Sequence, residues 1–290
     1  MVQTIGSRLV KTIERQAHKI SYFCVAENIP ANQAVHELRR SFKRLRALLR
    51  FFNTIPDSQA ITIHAAIRDF GKHLAPIRES AVNVDIFEKE VLGNKLIPEK
   101  KLKNAREMLV QKNRLLLESG FRENRLQLNI HHYFQNLEDI LSEKSNELPT
   151  RGQFVHEIHH SFCKSYFLCH QLPASPHPEE LHELRKKLKR LGYQLDFARF
   201  LYPRYCKLKT DQLNKITDQL GDDHDFHVFA EEFRRHDYGF DQEEIRIIEN
   251  LADHLRELNQ QKLYLRLRQF FTVFPDEFEE KLEKMFRLRE

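Results

Sequence analysis

The sequence predicts an all-α protein, and three observations carry that expectation. Only 8 of 290 residues are glycine while 31% are charged, and Leu, Arg, Glu and Lys dominate, a composition that favours helix. Apolar residues recur at helical spacing, and no stretch of useful length alternates as a strand would. Finally, His36-Glu37-Leu38-Arg39-Arg40-Ser41-Phe42-Lys43-Arg44-Leu45 returns 146 residues later as His182-Glu183-Leu184-Arg185-Lys186-Lys187-Leu188-Lys189-Arg190-Leu191.

Prolines punctuate the elements. A first helix is predicted near Thr4 to Glu27, ended by Pro30, and a second near Asn32 to Asn53, closed by Pro56. A shift of 146 carries Pro30 onto Pro176 and Pro56 to within one residue of Pro203. A further anchor keeps the register: Leu74 to Val82 falls on Leu220 to Val228, so Arg78 and His224 each follow their motif histidine by 42 residues. Long fourth segments run from Glu99 to Leu141, with a break expected near Ser119-Gly120, and from Asp241 to Phe274. About four helices per half imply two antiparallel four-helix bundles related by internal duplication. The first half is 1–147, the linker 148–152 and the second half 153–290, with 41% apolar residues to supply a core for each.

Within the second helix, Leu38, Phe42, Leu45 and Leu49 fall within about 60° of one another and form a core stripe. His36, Arg39, Lys43, Arg46 and Arg50 share a different face, and Glu37, the sole acid of the segment, lies off it. Like charges at these spacings repel. A single stripe of this kind reads as a solvated face, but two copies keeping the cation order point to a polyanionic ligand. In the second copy Leu184, Leu188, Leu191 and Leu195 form the core side. His182, Arg185 and Lys189 form the basic side, joined by Lys186 and Arg190. Gly192 stands where the first copy has Arg46, and Asp196 where it has Arg50, so the second half is expected to bind less strongly or to hold one end of the ligand. On the first helix Arg8, Lys11, Arg15 and His18 share a face and are expected to line the same groove.

The duplicated H-E-L-R-x-x-x-K-R-L motif, with L-x-x-x-[RH]-[DE]-x-x-V following each copy, resembles the CHAD (conserved histidine α-helical domain) family over nearly the whole chain. The resemblance implies pseudo-twofold symmetry, a basic cleft between the halves, and non-catalytic binding of inorganic polyphosphate in it, with polyphosphate granules as an expected location. Position by position it assigns the binding role to His36, Arg39, Arg40, Lys43, Arg44, Arg46, Arg78, His182, Arg185, Lys189, Arg190 and His224. The basic stripes add Arg50, Lys186, Arg8, Lys11 and Arg15. Polyphosphate-metabolising enzymes are expected as further partners.

Other readings have weaker support. RNA is the alternative polyanion, but stacking platforms are scarce in the motif helices, where Tyr193 is the one candidate. His224-Asp225 resembles the pair of HD-type metal phosphohydrolases, yet Arg78-Glu79 holds the equivalent place in the first half. His156, His159, His160 and Cys163 have helical metal spacing but no counterpart in the first half. Glu277 to Lys281 matches the E-x-E-x-K signature of triphosphate-tunnel domains in a helical context and reads as chance. No nucleophile–base pair or glycine-rich phosphate loop stands out. Neither a catalytic role nor a metal or other cofactor is expected. A docking adaptor has no specific support. Four scattered cysteines, no leader-like segment and no membrane-length apolar run point to the cytoplasm and away from membranes.

Overall fold

A computed structural model describes residues 4–55, 59–137 and 148–287. The expected closure of the second helix at Pro56, part of the segment reaching Leu141, and the end of the first half near Glu147 lie outside the described residues. Every regular element among the described residues is helical.

Helix α1 (Ile5–Val25) begins at Thr4, whose side chain accepts the Ser7 N–H at 3.2 Å. Helix α2 (Ala31–Leu49) starts after Pro30 and tightens into a 3-10 turn, Arg50–Phe52. Helices α3 (Ala60–His73) and α4 (Ala75–Ile86) meet at Leu74, with Pro76 in the opening turn of α4, where a missing N–H costs nothing. Helix α4 runs on into a π-turn, Phe87–Val91, and α5 (Glu99–Leu116) into another, Leu117–Glu123. The break expected at Ser119-Gly120 therefore falls later. The chain passes Gly120 in helical form and turns at Arg125, whose φ of 52° admits α6 (Leu126–Gln135).

In the second half, Thr150 and Gln153 cap α7 (Arg151–His170) reciprocally. Then come α8 (Pro178–Ala198) and the 33-residue α9 (Pro203–Arg235). Asp241 and Glu244 form the capping box of α10 (Gln242–Phe270), and a further helix, α11 (Pro275–Arg287), follows it.

The expected core stripes are buried: Leu38, Phe42, Leu45 and Leu49 on α2, and Leu184, Leu188, Leu191 and Leu195 on α8. Each such side chain contributes about 1.5–3 kcal/mol on leaving water. The expectation of a core for each half needs correction, because both cores are shared. The larger runs continuously from α1, α2 and α6 through α7, α8 and α11. The smaller joins Phe87, Leu102 and Leu109 of the first half to Phe229, Phe233 and Ile248 of the second. Phe51 meets Phe197 with ring centroids 5.7 Å apart, and Phe87 stacks on Phe233 at 5.8 Å. Each pair is 146 residues apart. Equivalent positions that touch each other are the contact pattern a twofold relation between the halves requires. Ion pairs close the rim of the smaller core: Lys101 reaches Glu244 at 2.6 Å, and Lys112 pairs with Glu232.

Candidate functional site

Helices α2 and α8 pack against each other, and α4 packs against α9. Their facing sides enclose a cavity of about 880 Å³. From α2 come His36, Arg39, Arg40, Lys43, Arg46 and Arg50, and from α4 comes Arg78. From α8 come His182, Arg185, Lys186, Lys189 and Arg190, and from α9 comes His224. Thirteen of the seventeen residues expected from the sequence thus surround one space.

Four do not. Arg44 lies about 100° round the helix from Lys43 and is held by Asp196, Nη2 to Oδ2, at 2.6 Å. Helix α1 buries Leu9, Ile13, Ala17 and Ile20, which directs Arg8, Lys11 and Arg15 away from the cavity. Arg8 lies over the Phe200 ring at 4.2 Å. Arg15 Nε donates to the Lys11 carbonyl at 3.1 Å.

The sequence reading also missed part of the wall. Lys187 joins the cations, His64 of α3 adds an imidazole, and Glu79, Glu183, Asp218, Asp222 and Asp225 add carboxylates. Eleven Lys and Arg therefore face five acids. Glu79 and Asp225 stand at matching places in the repeated anchor, a signal that could have flagged them. His64 has Thr210 at its matching place and left no trace. Tyr193, the aromatic candidate, is a half-buried side chain at the cavity edge.

Two guanidiniums are pinned by backbone. Arg39 Nη1 donates to Gly71 O at 2.7 Å, and Arg185 Nε donates to Thr217 O at 3.3 Å. Donors and acceptors alike are 146 residues apart. Gly221 allows the second close approach: a Cβ there would lie 3.0 Å from Arg185 Nη2. Neutral carbonyls fix the direction of these two side chains and leave their charge uncompensated. Some neighbours do carry acids, with Lys189 reaching Asp218 at 3.2 Å and Lys186 pairing with Glu183. Among the described residues Lys43, Arg46, Arg50, Arg78 and Arg190 form no ion pair with a carboxylate.

The crowding shows in proton affinities. The surrounding walls desolvate Lys43, and Arg185, Arg39 and Lys189 repel its charge, so its ammonium falls to about 7. Lys43 itself presents exposed surface to the cavity, so the enclosure around it rather than tight contact imposes this cost. Burial and then Arg50 lower Arg190 to about 10. Burial, followed by the Lys186 and Arg185 charges, takes His182 to about 4. His224, its ring centroid 4.2 Å from that of His182, falls to about 3 by burial and then by His182 and Arg185. His64 drops to about 4, through burial and Arg46. These imidazoles are neutral hydrogen-bonding groups at neutral pH in the free protein, not the mildly acidic switches that the reference value suggests. Burial holds the Asp222 and Asp225 carboxyls above their ordinary value.

Elsewhere, His159 of α7 turns to protein partners. His159 Nδ1 lies 3.3 Å from Glu279, and its Nε2 lies 3.1 Å from Cys163 Sγ. Among the described residues no group of three or more His, Cys, Asp or Glu side chains is placed to hold a metal ion. No helix among them is long and apolar enough to cross a membrane.

No curated protein matches the chain. The solved structure of PptA from Streptomyces chartreusis shares the fold, with a TM-score of 0.65 at 14% identity over 92% of this chain and 99% of that one. The CHAD domain from the plant Ricinus communis aligns at a TM-score of 0.49 and 13% identity, covering 95% of this chain and 89% of that one. The CHAD domain family itself matches residues 13–234. That span takes in both basic helices and both anchor segments that wall the cavity, and the chain belongs to the CHAD domain family.

Proposed function

We propose that the protein binds inorganic polyphosphate in the cavity between α2 and α8, without turning it over. The observation that carries this reading is the convergence of eleven Lys and Arg from both motif helices and their flanks on one space of about 880 Å³. Eight of these cations form no ion pair with a carboxylate among the described residues. A phosphate chain offers repeated charge, acceptor oxygens and no donors, which suits guanidinium forks and ammonium point charges. The ligand supplies the countercharge that the fold withholds. Neutral His182 and His224 add donors without adding repulsion. The nucleic-acid alternative has less support, because a single half-buried tyrosine is a poor stacking platform.

Titration with polyphosphate of defined length against single-stranded RNA, at two salt concentrations, tests the reading. Tighter polyphosphate binding with a steep salt slope is expected. Stronger retention of RNA at physiological salt would refute it. Arg39→Glu with Lys43→Glu removes binding on this reading. The same reading places the protein on polyphosphate granules, beside enzymes that make or degrade the polymer. Loss of granule signal in that double variant, by fluorescence imaging, checks the location.

A further inference from the structure

The two ends of the cavity are not alike. Arg44 and Arg190 occupy matching places in the two halves, and so do Arg50 and Asp196. In one combination Arg44 meets Asp196 at 2.6 Å, and neither residue reaches the cavity. In the other, Arg190 and Arg50 are both cations, and both line it. One end is therefore neutralised by an internal ion pair, and the other holds two guanidiniums without carboxylate partners among the described residues.

The chain continues this difference outward. At the Arg50 end, Arg46, Lys187 and His64 complete the wall. Helix α7 packs against the Arg50–Phe52 turn and against α8. It exposes His156, His160 and Lys164, which follow i, i+4, i+8 and share one face. The rings of His156 and His160 stack at 6.2 Å, and the charges of Arg50, Arg190 and Lys164 all act on His160. At the Arg44 end the α1 stripe of Arg8, Lys11 and Arg15 is exposed and more strongly basic. None of the three lines the cavity, and on the neighbouring helices Asp196 holds Arg44 while Glu37 holds Lys19 at 3.3 Å and Arg40 at 3.5 Å.

The row from His36 to Arg50 spans about 21 Å at 1.5 Å per residue, so a longer ligand must leave the cavity. We propose that Asp196 makes the cavity one-ended: an extended phosphate chain exits between Arg50 and Arg190 and continues over His156, His160 and Lys164, while the α1 stripe takes no part. This rests on the polyphosphate reading and adds a polarity to it.

The experiment is calorimetric titration of the full chain at fixed salt, with a short polyphosphate that fits within the row and a chain several times longer. The quantity read is the ratio of long-chain to short-chain affinity. His160→Glu with Lys164→Glu lowers that ratio about fivefold, the effect of two weak exposed contacts. Lys11→Glu with Arg15→Glu leaves it unchanged. Asp196→Asn raises it by freeing Arg44, and in that background the α1 variant does lower it. Asp196→Ser provides a second route to the same release, and circular dichroism confirms that each variant remains helical. A ratio that falls as far with the α1 variant as with the α7 variant, or that ignores the α7 variant, overturns the one-ended cavity while leaving polyphosphate binding intact. Failure of the short chain to bind the unmodified protein sinks both.

Discussion

Lys43 is where the electrostatics of the cavity become measurable. Its ammonium sits at about 7 because its surroundings and three neighbouring cations disfavour the charge. At pH 8 roughly a tenth of free molecules carry that proton, and at pH 6 roughly nine tenths do. A bound polyanion replaces repulsion with attraction and returns Lys43 toward its ordinary value, so the complex keeps the proton at both pH values. Affinity must then rise about tenfold from pH 8 to pH 6, with uptake of up to one proton per site at pH 8. The histidines add little to this window, since His182 and His224 stay neutral in the free protein until about pH 4 and 3. Isothermal titration at constant ionic strength, in buffers of differing ionisation enthalpy, reads both affinity and proton uptake. Lys43→Met should bind more weakly and flatten the pH dependence, whereas Lys43→Arg should bind well and flatten it too. An unmodified protein whose affinity is the same at both pH values, or a Lys43→Met variant that keeps the slope, would refute the reasoning.

Four further outcomes are expected. The free protein should lose thermal stability as pH falls from 6.5 toward 4: His64, His182 and His224 bind protons less readily folded than unfolded, so protonation favours the unfolded chain. Scanning calorimetry without and with polyphosphate checks this, and the ligand should blunt the loss. Gly221→Ala should weaken polyphosphate binding a few-fold with little change in melting temperature, because the new methyl displaces the flexible end of Arg185 rather than backbone. Asp225→Asn should tighten binding at pH 7 by removing a carboxylate from the anion's path, read by the same titration. Phe87→Ala should cost about 3–5 kcal/mol in urea unfolding, since its fully buried ring stacks on Phe233 and joins the halves in the smaller core.

The faces of α2 and α8 were legible because helical period and charge both register on a single strand of text. Leu38, Phe42, Leu45 and Leu49 had to be core, and the cations about 110° away had to be elsewhere. Charge opposite an apolar stripe says only that a face is not core. It does not say which neighbour that face meets. Arg8, Lys11 and Arg15 were therefore misplaced: the packing of α1 decides where its outer side points, and no residue on that side records it. The shared cores are not legible in the sequence for a related reason. Phe87 and Phe233 look like ordinary helix interior, and only their spacing of 146 hints that the two rings touch. The π-turns at Phe87–Val91 and Leu117–Glu123 left no breaker residue to read, since Gly120 is absorbed within the second. Asp196 shows the boundary most sharply. As text it is a lost cation, implying a weaker second half. In the fold it faces Arg44 rather than the cavity, so the same substitution makes an ion pair and leaves Arg190 and Arg50 to repel each other at the opposite end. A repeat tells which positions are equivalent; only the axis between the copies tells which positions confront each other, and at this site confrontation sets the charge.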